Sequence, residues 1–355
     1  MKRPHINNQK GIALVLILWV LALLSVIAGE FCYAMRTEVN ITRNFKEQSE
    51  AYYLALAGLN KAIGELIRNQ VILQKTKLFD DKTKREEKRG GAAPDGGNED
   101  SARWRINVNI PPVPFGAGTF EVKIGNEVGK ININQANEGL LKIMVDAFDL
   151  EDQQKVIIVD SILDWRDKDN LHRLNGAENE YYNSLPEPYE CKNGDFDSEE
   201  ELLLVRGVTP EMYYGGLQDM VTVFLDKRAI RKSTGDILQG RSGYVFGNRI
   251  CINAASEKML RALPSMTDEL VQKIINYRKE KDFKLLDELS PVVGPDVYKD
   301  MSPYITVEES AYYTISSRGL IPGGRIHKGI EAMVEVSPTI KRGWRVVQWR
   351  DGLRR

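Results

Sequence analysis

Eighteen consecutive residues without a charge, Ile12 to Gly29, constrain this chain more than any other feature. As a helix the run is about 27 Å long, close to the thickness of a bilayer core. The eleven residues before it carry Lys2, Arg3 and Lys10 and no acid, and Glu30 and Arg36 close it. A basic flank ahead of the run predicts a cytoplasmic N-terminus, with everything after the run exported. A cleaved signal peptide is one reading, but Ala28-Gly29-Glu30 is a poor small-x-small site. A plain signal anchor is the second. The third is a polar leader ending in Gly11 directly before a long apolar helix.

The helical pattern continues past the run. Tyr52, Leu56, Leu59, Ile63 and Ile67 recur at steps of three or four, and no proline occurs between Pro4 and Pro94. This predicts one helix from about 12 to about 73, with a folded domain packed on its second half. From Lys75 to Ala102 the chain is charged and then glycine-rich, which predicts a mobile linker. Alternating runs at Trp104–Ile110 and Thr119–Gly125 predict strands, as do Ala311–Ser317, His327–Val336 and Trp344–Trp349. Between them the pattern is helical: Glu138–Phe148, Asp152–Lys168, Ser198–Val205, Glu257–Leu263, Asp268–Lys281 and Leu285–Leu289. The last strands would be marginal alone. The expected fold is therefore α+β: a long N-terminal helix on a small antiparallel sheet, interrupted by a large helical insertion.

Lys+Arg 49 against Asp+Glu 50 excludes a general polyanion binder, and three cysteines exclude a disulfide framework. His5, His172 and His327 lie far apart and suggest no cluster. Ser242 in GRSGYVFG fits neither a nucleophile elbow nor a phosphate loop. Cys191 and Cys251 are candidates for pairing in an oxidising compartment. GKININQANEGLL (129–141) and NRICINAASEKML (248–260) form a weak internal repeat, in which Asn134 or Asn253 could cap the following helix. The second copy runs into a segment resembling helix-hairpin-helix modules, some of which bind DNA. Its turn, Pro264–Thr267, lacks glycine and is followed by Asp268 and Glu269, which argues against phosphate binding.

The acidic stretch is the strongest chemical signal. From Asp160 to Glu201 there are 13 acids and 4 bases. Concentrated carboxylates repel unless water or a cation relieves them. Asp164-x-x-Asp167-x-Asp169 and Asn193-x-Asp195-x-Asp197 space oxygen ligands along two loops, and Glu178 stands at position 12 counted from Asp167. Leu171 and His172 at positions 5 and 6 exclude an EF-hand. Spacing alone leaves a solvated acidic face and a cation site equally open. A hydrolase built on the cluster would need a base beside an open metal position, and no histidine partner is evident.

Lys10-Gly11 followed by Ile12-Ala13-Leu14-Val15-Leu16 resembles a type IV prepilin start, cut after the glycine. Pilin-like proteins usually carry glutamate at the fifth mature position, where this chain has Leu16. That departure, the run to Phe31, Ala51–Gly58, DWRDKD, GAENEYY and Glu200–Val208 resemble the minor pseudopilin K family of the type II secretion system. The resemblance implies a leader 1–11, a transmembrane start 12–29, a pilin-like domain from 30–134 and 305–355, and a helical insertion 135–304. It implies a non-enzymatic subunit at the pseudopilus tip, held in the bacterial inner membrane by its lipid-embedded helix, with its main domain in the periplasm. Its partners would be other minor pseudopilins, prepilin peptidase and the inner-membrane assembly platform, with no nucleic acid. It also implies a structural calcium, carried over to Asp164, Asp167, Asp169, Glu178 and Asn193, with Asp195 and Asp197 added on spacing. The runner-up is an exported, membrane-anchored DNA-binding protein built on hairpin modules.

Overall fold

The computed structural model describes residues 9–87, 104–224, 249–323 and 327–352. The leader up to Asn8, the stretch 88–103 and the loop containing Ser242 lie outside them. Helix α1 spans Gln9–Glu87, beyond the expected end near 73. The cause is composition: no proline or glycine occurs between Gly64 and Gly90, and the intervening Lys, Gln, Arg, Glu and Leu are good helix formers. From Ala13 to Phe45 its side chains are exposed, and one span is long and apolar enough to cross a membrane.

The second half of α1 lies on a five-stranded antiparallel sheet. Its strands are β1 (Val113–Phe115), β2 (Gly118–Asn126), β7 (Tyr312–Leu320), β8 (His327–Val336) and β9 (Trp344–Asp351), in the order β1-β2-β7-β8-β9. Two-residue alternation gives β2 and β7 their inward residues: Phe120, Val122 and Ile124 on one, Tyr313 and Ile315 on the other. The face α1 presents to them keeps Leu59 and Ile63 of the expected stripe and adds small residues beside them. Ala51, Ala55, Leu59, Ala62, Ile63 and Leu66 are buried, while Tyr52, Leu56 and Ile67 are half-buried along its margin. Small residues take the centre because helix and sheet approach closely. A Cβ on Gly58 would lie 2.3 Å from Ser317 Oγ. Leu59, Ile63 and Leu66 contribute roughly 1.5–3 kcal/mol each by leaving water. The strand expected at Trp104–Ile110 is absent: Asn107 takes φ +54°, which breaks an extended run, and Pro111 and Pro112 cannot donate to a ladder.

β2 pairs with β7, its neighbour in the sheet but far along the chain, so everything between Asn126 and Tyr312 is an insertion. Asn126 clips its two crossing points together. Its Nδ2 donates to Ser310 O at 2.9 Å, and its Oδ1 accepts from Ser310 N at 3.1 Å and Oγ at 2.9 Å. Beside it the buried Glu127 receives Lys130 Nζ at 3.0 Å and the Thr314 hydroxyl. Burial works against its charge, but Lys130 and the hydroxyl donors hold its carboxyl below the ordinary value.

The position of this crossing follows from the direction of α1. Ala51 O and Leu54 lie against Gly319 and Gly118, at one end of the sheet, while Gln70 Nε2 reaches Val336 O at the other. Asn126 and Tyr312 belong to the Val336 end, through the pairs Asn126↔Tyr313 and Tyr312↔Glu335. The insertion therefore leaves and rejoins the sheet at the end farthest from the apolar run, roughly 60 Å along the helix from Gly29.

The insertion is two copies of one unit. The first has β3 (Ile131–Asn132), α2 (Glu138–Asp146), α3 (Asp152–Arg166), α4 (Asn179–Asn183), α5 (Pro210–Tyr214) and β4 (Val221–Thr222), with β3 and β4 parallel. The second has β5 (Ile250–Cys251), α6 (Glu257–Ala262), α7 (Asp268–Glu280) and β6 (Ile305–Thr306), with β5 and β6 parallel. The 13-residue repeat in the sequence marks the start of each. Asn134 and Asn253 are not the caps; Asn137 and Ser256 are, accepting from Leu140 N and Met259 N. Asn134 instead brackets the backbone of Phe196 at 2.7 and 3.0 Å, and Asn253 that of Phe283 at 3.0 and 3.0 Å. In each unit a late-helix arginine secures the first turn. Arg166 donates to Ile133 O and Ala136 O, and Arg278 to the carbonyls of Ile252, Asn253 and Ala255 at 2.9 to 3.1 Å.

These assignments give the DNA-binding alternative no support in the segment it rested on. Arg278 is buried on carbonyls, Thr267 caps α7, and Asp268 and Glu269 fill its first turn. Replacing Arg278 with leucine should leave three carbonyls unpaired and cost about 3 kcal/mol. Thermal unfolding of the variant, read beside the more exposed Lys279→Leu, checks this. Cys191 and Cys251 are both free and buried, in different hydrophobic clusters, so the expected pairing does not occur. Burial pushes both thiols up to about 12.

Candidate metal centre

Comparing the two units locates the acidic segment. Arg278 and Phe283 are 5 residues apart, whereas their counterparts Arg166 and Phe196 are 30 apart. The extra chain is the loop that carries most of the carboxylates. It is built on the C-terminal end of α3, whose Ile158, Val159, Ile162 and Trp165 are held in the core. That leaves Asp160 and Asp164, one turn apart, facing the loop. Asn175 N and Nδ2 donate to Asp160 Oδ2 at 3.2 and 3.3 Å. Arg173 N donates to Asp164 Oδ2 at 3.0 Å, and Arg173 Nη1 lies 2.5 Å from Asp164 Oδ1 and 2.9 Å from Asp167 Oδ2. Gly176 lets the loop come this close: a Cβ there would stand 1.8 Å from Asp164 Oδ2.

Asp164, Asp167 and Glu178 each bring a carboxylate oxygen within 4.8 Å of the others. Glu178 is 2% exposed, and neither of its oxygens accepts a hydrogen bond, although the Cys191 thiol stands near. Asn193 comes from the second loop with φ +48°; its Nδ2 donates to Asn170 Oδ1 at 2.8 Å, and its Oδ1 is buried without a partner. Asn179 completes the frame, donating to Asn170 Oδ1 at 2.9 Å and accepting from Cys191 N at 2.7 Å. Burial raises the Glu178 carboxyl above its ordinary value, and Asp164, Asp167 and Asp169 push the same way. Asp164 is raised by burial too, against the opposing pull of Arg173. The floor is aromatic: Trp165 meets Tyr182 edge-on at 5.2 Å and Phe196 stacked at 6.3 Å.

Three converging carboxylates, two of them buried, with one guanidinium between them, leave excess negative charge in a confined space. Buried carboxylate oxygens without donors are what a hard divalent cation requires. On this ground Asp164, Asp167 and Glu178 could hold calcium, and Asn193 Oδ1 is a further buried oxygen without a partner. Asp169, Asp195 and Asp197 are not among the three converging carboxylates. Asp169 Oδ1 closes a turn onto Leu171 N at 2.9 Å, Asp195 is exposed, and Asp197 pairs with Lys192 at 2.8 Å. Sequence reasoning missed Arg173, Gly176, Asn170 and Asn179 as parts of the site, although Gly176 and Asn179 both lie inside the quoted GAENEYY.

Residues 123–226, which hold the end of β2, the first unit and this centre, match the family model for type II secretion system (T2SS), protein K. Over these residues the chain is similar to the protein K family. Type II secretion system protein K of Aeromonas hydrophila is 27% identical over 221 residues, 59% of this chain and 62% of that protein. The protein of the same name from Pectobacterium carotovorum subsp. carotovorum is 23% identical over 248 residues, 64% and 67% of the two chains. The chain thus spans about three fifths of the length of the Aeromonas protein K. Among solved structures, the GspK-GspI-GspJ complex from the enterotoxigenic Escherichia coli type 2 secretion system contains a chain with the same fold. Its TM-score is 0.54 at 14% identity, over 88% of this chain and 99% of that one. The shared fold is the long helix, the antiparallel sheet and the helical insertion.

Proposed function

We propose that this protein is a minor pseudopilin that sits at the tip of the type II secretion pseudopilus and starts or caps the fibre for export across the outer membrane. The observation that carries the reading is the placement of the insertion at the end of the sheet farthest from the apolar run. A subunit shaped this way presents a bulky pair of helical units where the next pilin-like domain would stack. The family match and the named relatives support the same role.

In this reading prepilin peptidase cuts between Gly11 and Ile12, and the new N-terminus is methylated. The helix then stays in the inner membrane, with the domains in the periplasm. A glutamate at mature position five would neutralise the terminal amine of the preceding subunit; Leu16 cannot, and a tip subunit has no need of that contact. Other minor pseudopilins would pack along the exposed face of α1; the structural relative is itself part of a GspK-GspI-GspJ complex. The inner-membrane assembly platform would receive the helix. The role is structural rather than catalytic. Calcium at Asp164, Asp167, Glu178 and Asn193 would neutralise the centre and fix the long loop to α3.

The N-terminal mass of protein recovered from bacterial membranes tests the pathway. A methylated Ile12 terminus, lost without prepilin peptidase, is the expected result. An intact leader or a cut near Gly29 would reject it.

A further inference from the structure

We propose that Arg173 is a resident counter-ion of the metal centre, occupying the cation's position when the cation is absent and competing with it for Asp164 and Asp167. The inference rests on the calcium reading above and adds a residue that regulates that site.

The geometry is specific. Arg173 Nη1 is 2.5 Å from Asp164 Oδ1 and 2.9 Å from Asp167 Oδ2. Calcium–oxygen distances are about 2.3–2.6 Å, so a cation bound to these two oxygens would crowd Nη1 and compete with it for them. The charges alone would tolerate both, since three carboxylates balance a divalent ion and a guanidinium; the exclusion is steric. The two cationic partners also satisfy the centre unequally. Arg173 reaches Asp164 and Asp167 but leaves both Glu178 oxygens and Asn193 Oδ1 unpaired. A multidentate ion would engage these as well, and that difference favours displacement.

The side chain is built to leave. Asp164 is fully buried, whereas the Arg173 side chain is 41% exposed and stands between that carboxylate and water. The backbone bond from Arg173 N to Asp164 Oδ2, at 3.0 Å, does not depend on the guanidinium, and Asn175 separately anchors the loop to Asp160. The guanidinium can therefore swing out without unfolding the loop. The consequence is a threshold: Arg173 offsets part of the negative charge while the ion is absent, and the centre fills only where free calcium is high.

The test is direct binding of terbium and calcium to the full chain in detergent, with Trp165, adjacent to Asp164, sensitising terbium emission and calcium read by displacement. Arg173→Gln should bind both ions roughly tenfold or more tightly than wild type. It should also melt at a lower temperature in chelator. Arg173→Lys, which keeps a charge but loses the fork, should lie between them. If Arg173→Gln does not fold in chelator, by near-ultraviolet circular dichroism, Arg173→Lys carries the affinity test, with the same direction required. Wild-type binding with unchanged or weaker affinity in the variant overturns the counter-ion and leaves the calcium reading intact. Failure of wild type and variant alike to bind either ion overturns both.

Discussion

Gly319→Ala should unfold the pilin-like half of the molecule or cost it more than about 3 kcal/mol. The added Cβ would stand 1.9 Å from the carbonyl oxygen of Ala51 and 2.8 Å from Leu54 Cβ. The first clash is with helix backbone, which no rotamer change relieves. Relief requires α1 to lift from β7, and that opens the contacts of Ala55, Leu59 and Ala62 together. Removing glycine's flexibility from the unfolded chain returns only about 0.4–1 kcal/mol. Gly125→Ala, in the neighbouring strand, is the control: its Cβ would meet Thr314 O at 3.7 Å, an ordinary contact. Thermal unfolding of the two variants should separate widely. Equal melting temperatures would mean that α1 does not lie as closely on the sheet as the geometry requires.

Glu178→Gln should reverse its effect with the state of the centre. In chelator the wild-type protein holds a buried carboxylate without a hydrogen bond, and the amide removes that charge, so the variant should be the more stable. In calcium the order should invert, because the variant loses an anionic ligand. A cation at a hundredfold excess over its dissociation constant stabilises the wild type by about 2.7 kcal/mol. The pH dependence has a definite sign. Burial raises both Asp164 and Glu178, so the cation-free folded state binds protons more tightly than the unfolded chain. Their contribution therefore favours folding at pH values below the ordinary carboxylate range and is lost as pH rises through that range to the raised values. Calcium should flatten this slope, and protons should weaken calcium as pH falls. Melting curves with calcium and with chelator at two pH values check all three statements. Identical curves with and without calcium for wild type would reject the site.

How much of this was legible in the sequence depends on the range of the interaction. The apolar run, the strand alternation at Thr119–Gly125 and His327–Val336, and the helix at Asp152–Lys168 are periodic, and periodicity is a property of consecutive residues. Their ends shifted by a residue or two, as local capping dictates. The strand at Trp104–Ile110 failed because a single left-handed asparagine is invisible to alternation. The caps were misassigned by three residues because Asn134 and Asn253 resemble caps in sequence but are claimed by distant phenylalanine backbones. The acidic cluster was visible as charge density. Which acids converge was not, since Asp195 and Asp197 have the same spacing yet are outside the group of converging carboxylates.

Consecutive residues alone require that one helix is apolar enough for a membrane, that the chain is α+β, and that carboxylates crowd between 160 and 201. Those are consequences of composition and of periods two and 3.6. It took the packed structure to show that Ala51, Ala55, Gly58 and Ala62 share the sheet-facing side with Leu59 and Ile63 of the apolar stripe, because close backbone approach sets which side chains fit. It alone decided that the insertion stands at the far end of the sheet, since strand pairing between Asn126 and Tyr313 fixes that end. It also decided that Arg173 lies among Asp164, Asp167 and Glu178, because Gly176 leaves room for the loop to close on α3.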